Sequence, residues 1–351
     1  MEVTVVRSLH TRLRQLLWHR VTTRHLNGVT LKRPCSSSVN RYNDVDPAPV
    51  FFDKNVQEIL KRVTGCNFNA VFRRRYDEKP LSPPRYEFLT EEELQERMEE
   101  AKGVVEKILQ MPPVLKERQP ITGILSRDPA LTGFDTCKYI FTDITFGVSD
   151  RKRNIVVRDM DGTLRHASWE ERDRMNQIYN PRPGRKLKQP KIFLEENLQG
   201  VLQRENYEFV LDRVCAQFEP DDPEYHRVCS MVYEAIEGKR HYQMLHSTRH
   251  YGPMCFYLVW HRKMDNLLIS LIQQENLSSC ADIVQLHQLI HTSSKSIALN
   301  VDPKQHLDFV KAYVDYDSLQ RPQLQLAIQA YQDIIQERQQ YQEEIKTAHG
   351  L

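Results

Sequence analysis

The sequence predicts an α+β protein that is mostly helix. A small antiparallel β-sheet with flanking helices is followed by an α-helical C-terminal half. Three observations predict this. Residues 137–167 are the only clear stretch in which apolar and polar residues alternate with period two. Beyond Phe193, apolar residues recur at helical spacing in one segment after another. Glycine occurs only 12 times in 351 residues, about half its usual share of roughly 7%. No two glycines lie closer than ten positions. The GxGxxG, P-loop and GxSxG motifs are therefore excluded, since each needs paired glycines to bring backbone up to a phosphate or to expose a nucleophile.

Four regions follow from composition. Residues 1–43 hold eight Lys/Arg (Arg7, Arg12, Arg14, Arg20, Arg24, Lys32, Arg33 and Arg41) against Glu2 alone. Leu9, Leu13, Leu16 and Leu17 share one helical face, and Ser36–Ser38 follow. An Arg-rich, acid-poor amphipathic start reads as a mitochondrial transit peptide, disordered or removed. It predicts a protein of the mitochondrial matrix.

Residues 44–136 form a helical and extended region. Asp53 caps a helix that carries Val56, Ile59, Leu60 and Val63 on one face and stops at Gly65. Arg73–Arg75 and the Pro80–Pro84 run make a basic, extended stretch. Thr90 and Glu93 form a capping box for a helix reaching about Gln110, ended by Pro112 and Pro113.

Residues 137–192 hold the sheet and a basic loop. Cys137–Phe146 is the first strand, with Ile140 and Ile144 on one face and Tyr139 and Phe141 on the other. Gly147–Arg153 is a turn and Asn154–Arg158 the second strand. Asp161–Gly162 is a hairpin signal, and Thr163–Ala167 is the third strand. Ser168 and Glu171 cap a charged helix through about Tyr179. Asn180–Lys191 is an extended loop with five bases and no acid.

Residues 193–351 form the α-helical domain. Tyr207, Val210, Leu211, Val214 and Phe218 make one stripe, and Glu219–Pro223 breaks it. Tyr225, Val228, Cys229, Val232 and Ile236 make the next. Further helices fit 254–275, 281–290, 304–316 and 322–346, the last with a Gln-rich, solvated face.

Net charge is +2, but the signs are segregated. Residues 1–43 and 151–191 each carry +7, 44–150 carry −4 and 192–351 carry −8. The island at 151–191 points to a polyanion. Arg151, Lys152 and Arg153 sit on a hairpin tip, and Arg182, Arg185, Lys186, Lys188 and Lys191 on a proline-stiffened loop. Arg73, Arg74 and Arg75 are further candidates. No RNP-like aromatic pattern accompanies them, so sequence-specific base stacking is not indicated. Changing Arg185, Lys186 and Lys188 to Glu is expected to leave the fold intact, as exposed loop charges contribute little to stability.

No catalytic constellation is expected. Asp159-Met-Asp161-Gly162-Thr163 matches the DxDGT nucleophile motif of haloacid-dehalogenase-type phosphatases, and that is the alternative enzyme reading. Arg158 stands where a buried parallel strand wants an apolar residue, and helices follow where that fold needs strands. His241, His246, His250, His287 and His291 lack an acid or cysteine to complete a metal set. The seven cysteines are scattered without CxxC, reading as reduced thiols. No cofactor, metal or small-molecule substrate is expected. No apolar run nears the ~18 residues of a membrane span.

Five segments carry a resemblance. Residues 111–121 (MPPVLKERQPI), 138–159 (KYIFTDITFGVSDRKRNIVVRD), 162–179 (GTLRHASWEERDRMNQIY), 215–225 (CAQFEPDDPEY) and 247–254 (STRHYGPM) are similar to the mitochondrial ribosomal protein S twenty-two family. The resemblance covers roughly 50–280. It implies a structural, non-catalytic protein of the mitochondrial small ribosomal subunit that touches ribosomal RNA and neighbouring ribosomal proteins. A helical adaptor unconnected to ribosomes is the remaining alternative.

Overall fold

A computed structural model describes residues 46–66, 88–107, 110–112, 115–134, 136–299 and 301–348. Residues 1–43 and Arg73–Arg75 lie outside them. Among the described residues the fold has twelve α-helices and one four-stranded antiparallel sheet. The expected fold class, α+β and mostly α, is the one observed.

Local signals set the early elements. After the short helix α1 (Ala48–Phe51), Asp53 accepts hydrogen bonds from the Asn55 and Val56 amides to start α2 (Lys54–Thr64), and Gly65 at φ +55° ends it. Val56, Ile59, Leu60 and Val63 are buried, as their spacing predicts. The Thr90–Glu93 box opens α3 (Glu91–Glu106).

The sheet contains β1 (Ile124–Arg127), β2 (Tyr139–Thr142), β3 (Ile155–Arg158) and β4 (Thr163–His166), in the order β1-β4-β3-β2. Two expectations are corrected here. The sheet draws its outer strand β1 from residues before 137, in a stretch too short and too exposed to show alternation. The first expected strand, 137–146, shrinks to four residues. Beyond Thr142, Asp143 accepts from the Thr145 amide (2.9 Å), and Arg153 donates to the carbonyls of Asp143 and Thr145. That turn ends the pairing and leaves Ile144 exposed. Gly162, at φ +81°, makes the β3–β4 turn. A Cβ there would meet the Asp128 carbonyl oxygen at 2.1 Å, so both backbone angle and space require glycine.

Ile155, Val157 and Ala167 form a small buried core, with Ile140 and with Met175 of α4 (Trp169–Tyr179) packed against it. The Ser168–Glu171 capping box starts α4. Arg165 joins hairpin to helix, donating to Asp159 at 2.6 Å and Glu171 at 2.9 Å. The Arg165 hydrogen bonds hold the Glu171 carboxyl well below the usual carboxylate range.

The helical body begins with α5 (Glu195–Gln203), α6 (Tyr207–Gln217) and α7 (Pro223–Lys239). The expected helix 254–275 is two helices, α8 (Tyr251–Trp260) and α9 (Asp265–Gln273). Arg262 takes φ +56° between them and breaks the helical path. All ten residues of α8 are buried, as a helix apolar all round should be. Gly252 permits this, since a Cβ would meet Gln110 Oε1 at 2.3 Å. Helices α10 (Leu277–Ile290), α11 (His306–Tyr316) and α12 (Arg321–Ala348) complete the body. Helix α2 packs on α8 and α10, and α12 packs on α9. No helix of the described residues is long and apolar enough to cross a membrane.

Candidate nucleic-acid interface

The basic island is built on three elements: the β2–β3 turn, α4 and the loop 180–191. Ser149 accepts from the amides of Lys152 and Arg153 (2.9 and 3.1 Å), which closes the turn. Gln177 of α4 holds the start of the loop, accepting from the Arg182 amide and donating to the Arg185 carbonyl. Gln217 of α6 clamps Lys186 at both its amide (3.0 Å) and its carbonyl (2.9 Å). Arg213 donates to the Gly184 carbonyl at 2.7 Å. The loop is thereby fixed to the body by its backbone, which frees its side chains for other partners.

Those side chains divide by type. Arg153 is only 4% exposed, and its guanidinium donates to the carbonyls of Asp143, Thr145 and Val148. Arg182 donates to Asp150 (2.7 Å) and to Glu219, and the partly buried side chain of Arg185 donates to Glu219 at 2.8 Å. Arg151 pairs with Asp221 at 3.1 Å. Lys152, Lys186, Lys188 and Lys191 are exposed, and among the described residues none has an ion-pair partner. Arg174 of α4 is likewise exposed without an ion pair.

Of the expected phosphate-contact candidates, Arg153 on the hairpin tip and Arg182 and Arg185 on the loop are thus engaged by carbonyls or acids of the chain itself. The acids that bind Arg151, Arg182 and Arg185 lie on the Glu219–Pro223 turn and at Asp150. Burial works against ionised Glu219, but the Arg185 hydrogen bond and the charges of Arg182, Arg185 and Arg151 outweigh it and hold its pKa below the ordinary value. Changing Arg185 to Glu would set two carboxylates together, so Arg185 is not a neutral site for substitution.

Arg118 and Arg172, which the sequence did not single out, complete this ionic joint. Arg118 donates to Asp173 at 3.0 Å and to Asp222, and lies 4.9 Å above the Trp169 ring. Arg172 is buried and donates to the carbonyls of Arg151 and Arg153. The backbone joins too: the amides of Leu115 and Arg118 donate to Pro220 and Asp221. A cavity of about 20 Å³ lies among these groups, room for about one water molecule. The signal for the joint was present in the sequence: an acidic, proline-bounded EPDDP and a basic, proline-bounded RPGRK.

The other candidate constellations have structural partners. Asp159 accepts from Arg165, and Asp161 accepts from the Thr163 amide and hydroxyl. Both lie on an antiparallel hairpin with no strand after β4 among the described residues. His250 is bonded to Asp212 at 2.9 Å and His291 to the Val259 carbonyl at 2.9 Å. Among the described residues no cluster of His, Cys, Asp and Glu could hold a metal.

Comparison with known proteins agrees with the sequence resemblance. The family model described as Mitochondrial 28S ribosomal protein S22 matches residues 49–292. A Mus musculus protein named Small ribosomal subunit protein mS22 is 39% identical over 305 residues, covering 87% of this chain and 84% of that protein. A Bos taurus protein of the same name is 40% identical over 286 residues, covering 81% and 79%. With a match of this length running through the sheet, the ionic joint and most of the helical body, the chain belongs to the mitochondrial 28S ribosomal protein S22 family.

Proposed function

We propose that the chain is a non-catalytic structural constituent of the mitochondrial small ribosomal subunit, working in the mitochondrial matrix. Family membership is the observation that carries this reading. It contacts small-subunit ribosomal RNA and neighbouring ribosomal proteins. Residues 1–43, with eight cations and one acid, serve as the import signal.

Lys152, Lys186, Lys188 and Lys191 form the phosphate contact, because their ammonium groups are exposed and lack internal acids. Arg151 and Arg182, half engaged with acids, stand at its edge. Arg153 and Arg185 hold the backbone that presents the lysines. Arg73–Arg75 are a second basic stretch available to RNA. Such contacts position a protein on RNA without reading its sequence.

The test is sucrose-gradient sedimentation of mitochondrial lysates over a potassium chloride series. The wild-type chain should travel with the small subunit. The K186E/K188E/K191E variant should leave it at lower salt, since each lost phosphate contact lowers the salt slope by about 1. Release of mutant and wild type at the same salt would remove the lysines from the interface. Absence of the wild-type chain from small-subunit fractions would overturn the ribosomal reading itself.

A further inference from the structure

Helix α12 is 28 residues long, about 42 Å at 1.5 Å per residue. Its buried stripe consists of Leu324 and Ile328, continued by the half-buried Tyr331 and Ile335. Arg338 at its far end pairs with Glu275 at 2.7 Å. From Gln336 to Ile345 every residue is exposed. An isolated helix of about ten residues, the length of this exposed stretch, is marginal in water.

A second apolar row runs along another face. Leu326, Ala330, Ile334, Tyr341 and Ile345 follow at i, i+4, i+8, i+15 and i+19, which keeps them on one side of a 3.6-residue helix. Leu326 is 68%, Ile334 40%, Tyr341 67% and Ile345 44% exposed. A single exposed leucine is ordinary, but an aligned row of large apolar side chains marks a contact surface. The Gln-rich end is exposed, as expected, and this row lies along it.

Charge selects the occupant. Asp333, Glu337 and Glu344 run along one edge of the row, exposed and without ion pairs among the described residues. The helix's own Arg321 and Arg338 are turned to Asp315 and Glu275. The edge is thus acidic and unpaired, which opposes a phosphate backbone. Antiparallel pairing of two copies would set the same acidic edges against each other. We propose that this row docks an amphipathic helix of a neighbouring protein whose apolar stripe is flanked by Lys and Arg. Apolar rows then interlock, and opposite charges fix register and partner. The proposal rests on the ribosomal reading for its setting, a crowd of neighbouring proteins, and not for the surface itself.

The test replaces Tyr341 by photoreactive benzoylphenylalanine in the full-length chain, irradiates intact mitochondria and sequences the crosslinked partner. The expected product is a helical segment of another protein with apolar residues at i, i+3/i+4 and i+7 and an excess of Lys and Arg beside them. Its yield should fall at least tenfold with L326E and with D333K/E337K/E344K, both at exposed sites where the melting temperature should not move. Crosslinks to RNA, to a second copy, to an acidic segment or to nothing would overturn the proposal. Sedimentation of the same lysates reports separately on ribosome association. A basic-helix crosslink on a chain absent from the small subunit would sink the ribosomal reading and leave this surface standing.

Discussion

Among the described residues 45 apolar side chains of the helical body are buried in one cluster; in the sheet module three are, with two more packed against them. The two regions are consequently held by different chemistry. The body rests on area removed from water, about 1.5–3 kcal/mol for each fully buried large side chain. The sheet module has too little apolar area for that. Arg153, Arg165 and Arg172 act there as spokes, each donating to carbonyls or carboxylates of separate segments. Its attachment to the body is ionic as well, through Arg118, Arg151, Arg182 and Arg185. A guanidinium offers five donors in a fixed fork and stays charged at any ordinary pH. Lysine's flexible point charge does neither task as well, and the island's exposed lysines face solvent.

The contrast can be broken most strongly in the body. Phe256 is buried, edge-on to Phe51 at 5.1 Å and stacked on Trp260 at 5.7 Å. Phe256→Ala should cost about 4 kcal/mol, read as a lowered denaturant midpoint for the whole domain. A loss under 1 kcal/mol would mean the body is looser than its burial indicates.

The joint should respond next. Arg118→Leu keeps apolar contact with Trp169 but leaves Asp173 and Asp222 without their cation. Burial already pushes the Asp173 carboxyl up against the pull of Arg118. We expect a loss of about 3 kcal/mol, with hydrogen-exchange protection falling in 115–127 and 150–191 ahead of α7–α11. Uniform loss of protection across both regions would show that they unfold as one unit.

Acid should separate the regions too. Burial, helped by the neighbouring His291, lowers His287 from its ordinary value to about 4. Its ring packs edge-on to Tyr313 at 5.1 Å, and Asp317 and Arg262 act on it with opposite sign. The neutral ring is the folded form, so the unfolded chain takes up the proton first, near pH 6.5. Stability from this group is complete above that pH and is lost as pH falls to about 4, by up to about 3 kcal/mol. His287→Leu should lessen the loss of melting temperature between pH 7 and pH 4.5. Glu171 in the sheet module and Glu219 at its joint with the body, both depressed, give stability that is present above the unfolded carboxylate value, near pH 4.3, and lost only below it. An unchanged slope in the His287 variant would remove that residue as a source of acid sensitivity.

The smallest effect belongs to the lysines. K186E/K188E/K191E should change stability by less than about 0.5 kcal/mol, because no internal acid holds them. A drop of several degrees in melting temperature would show that the loop needs its positive charge to stay folded.

Local pattern was enough to read most of the elements. Asp53 and Gly65 bracket α2, two capping boxes start α3 and α4, Asp161–Gly162 turns the hairpin, and apolar spacing marks the body's helices. Each rests on residues within a few positions of one another, where backbone geometry and hydrogen bonds are local. Strand β1 was not legible, because four exposed residues that pair with a strand nearly forty positions later carry no periodicity of their own. The break at Arg262 was hidden for a related reason: α8 and α9 are both apolar, and only packing shows that the chain turns between them.

Where the positive charge lies, that the fold is mostly helix and which family the chain resembles can all be read from the order of residues. Which of those charges are available depends on how the chain is folded. Arg182 and Glu219 are 37 positions apart, and Arg118 and Asp222 are 104 apart. A charge neutralised across such a distance looks the same in sequence as one left open to solvent. Folding brought the acidic turn against the basic loop, bound the arginines there and left the lysines outside.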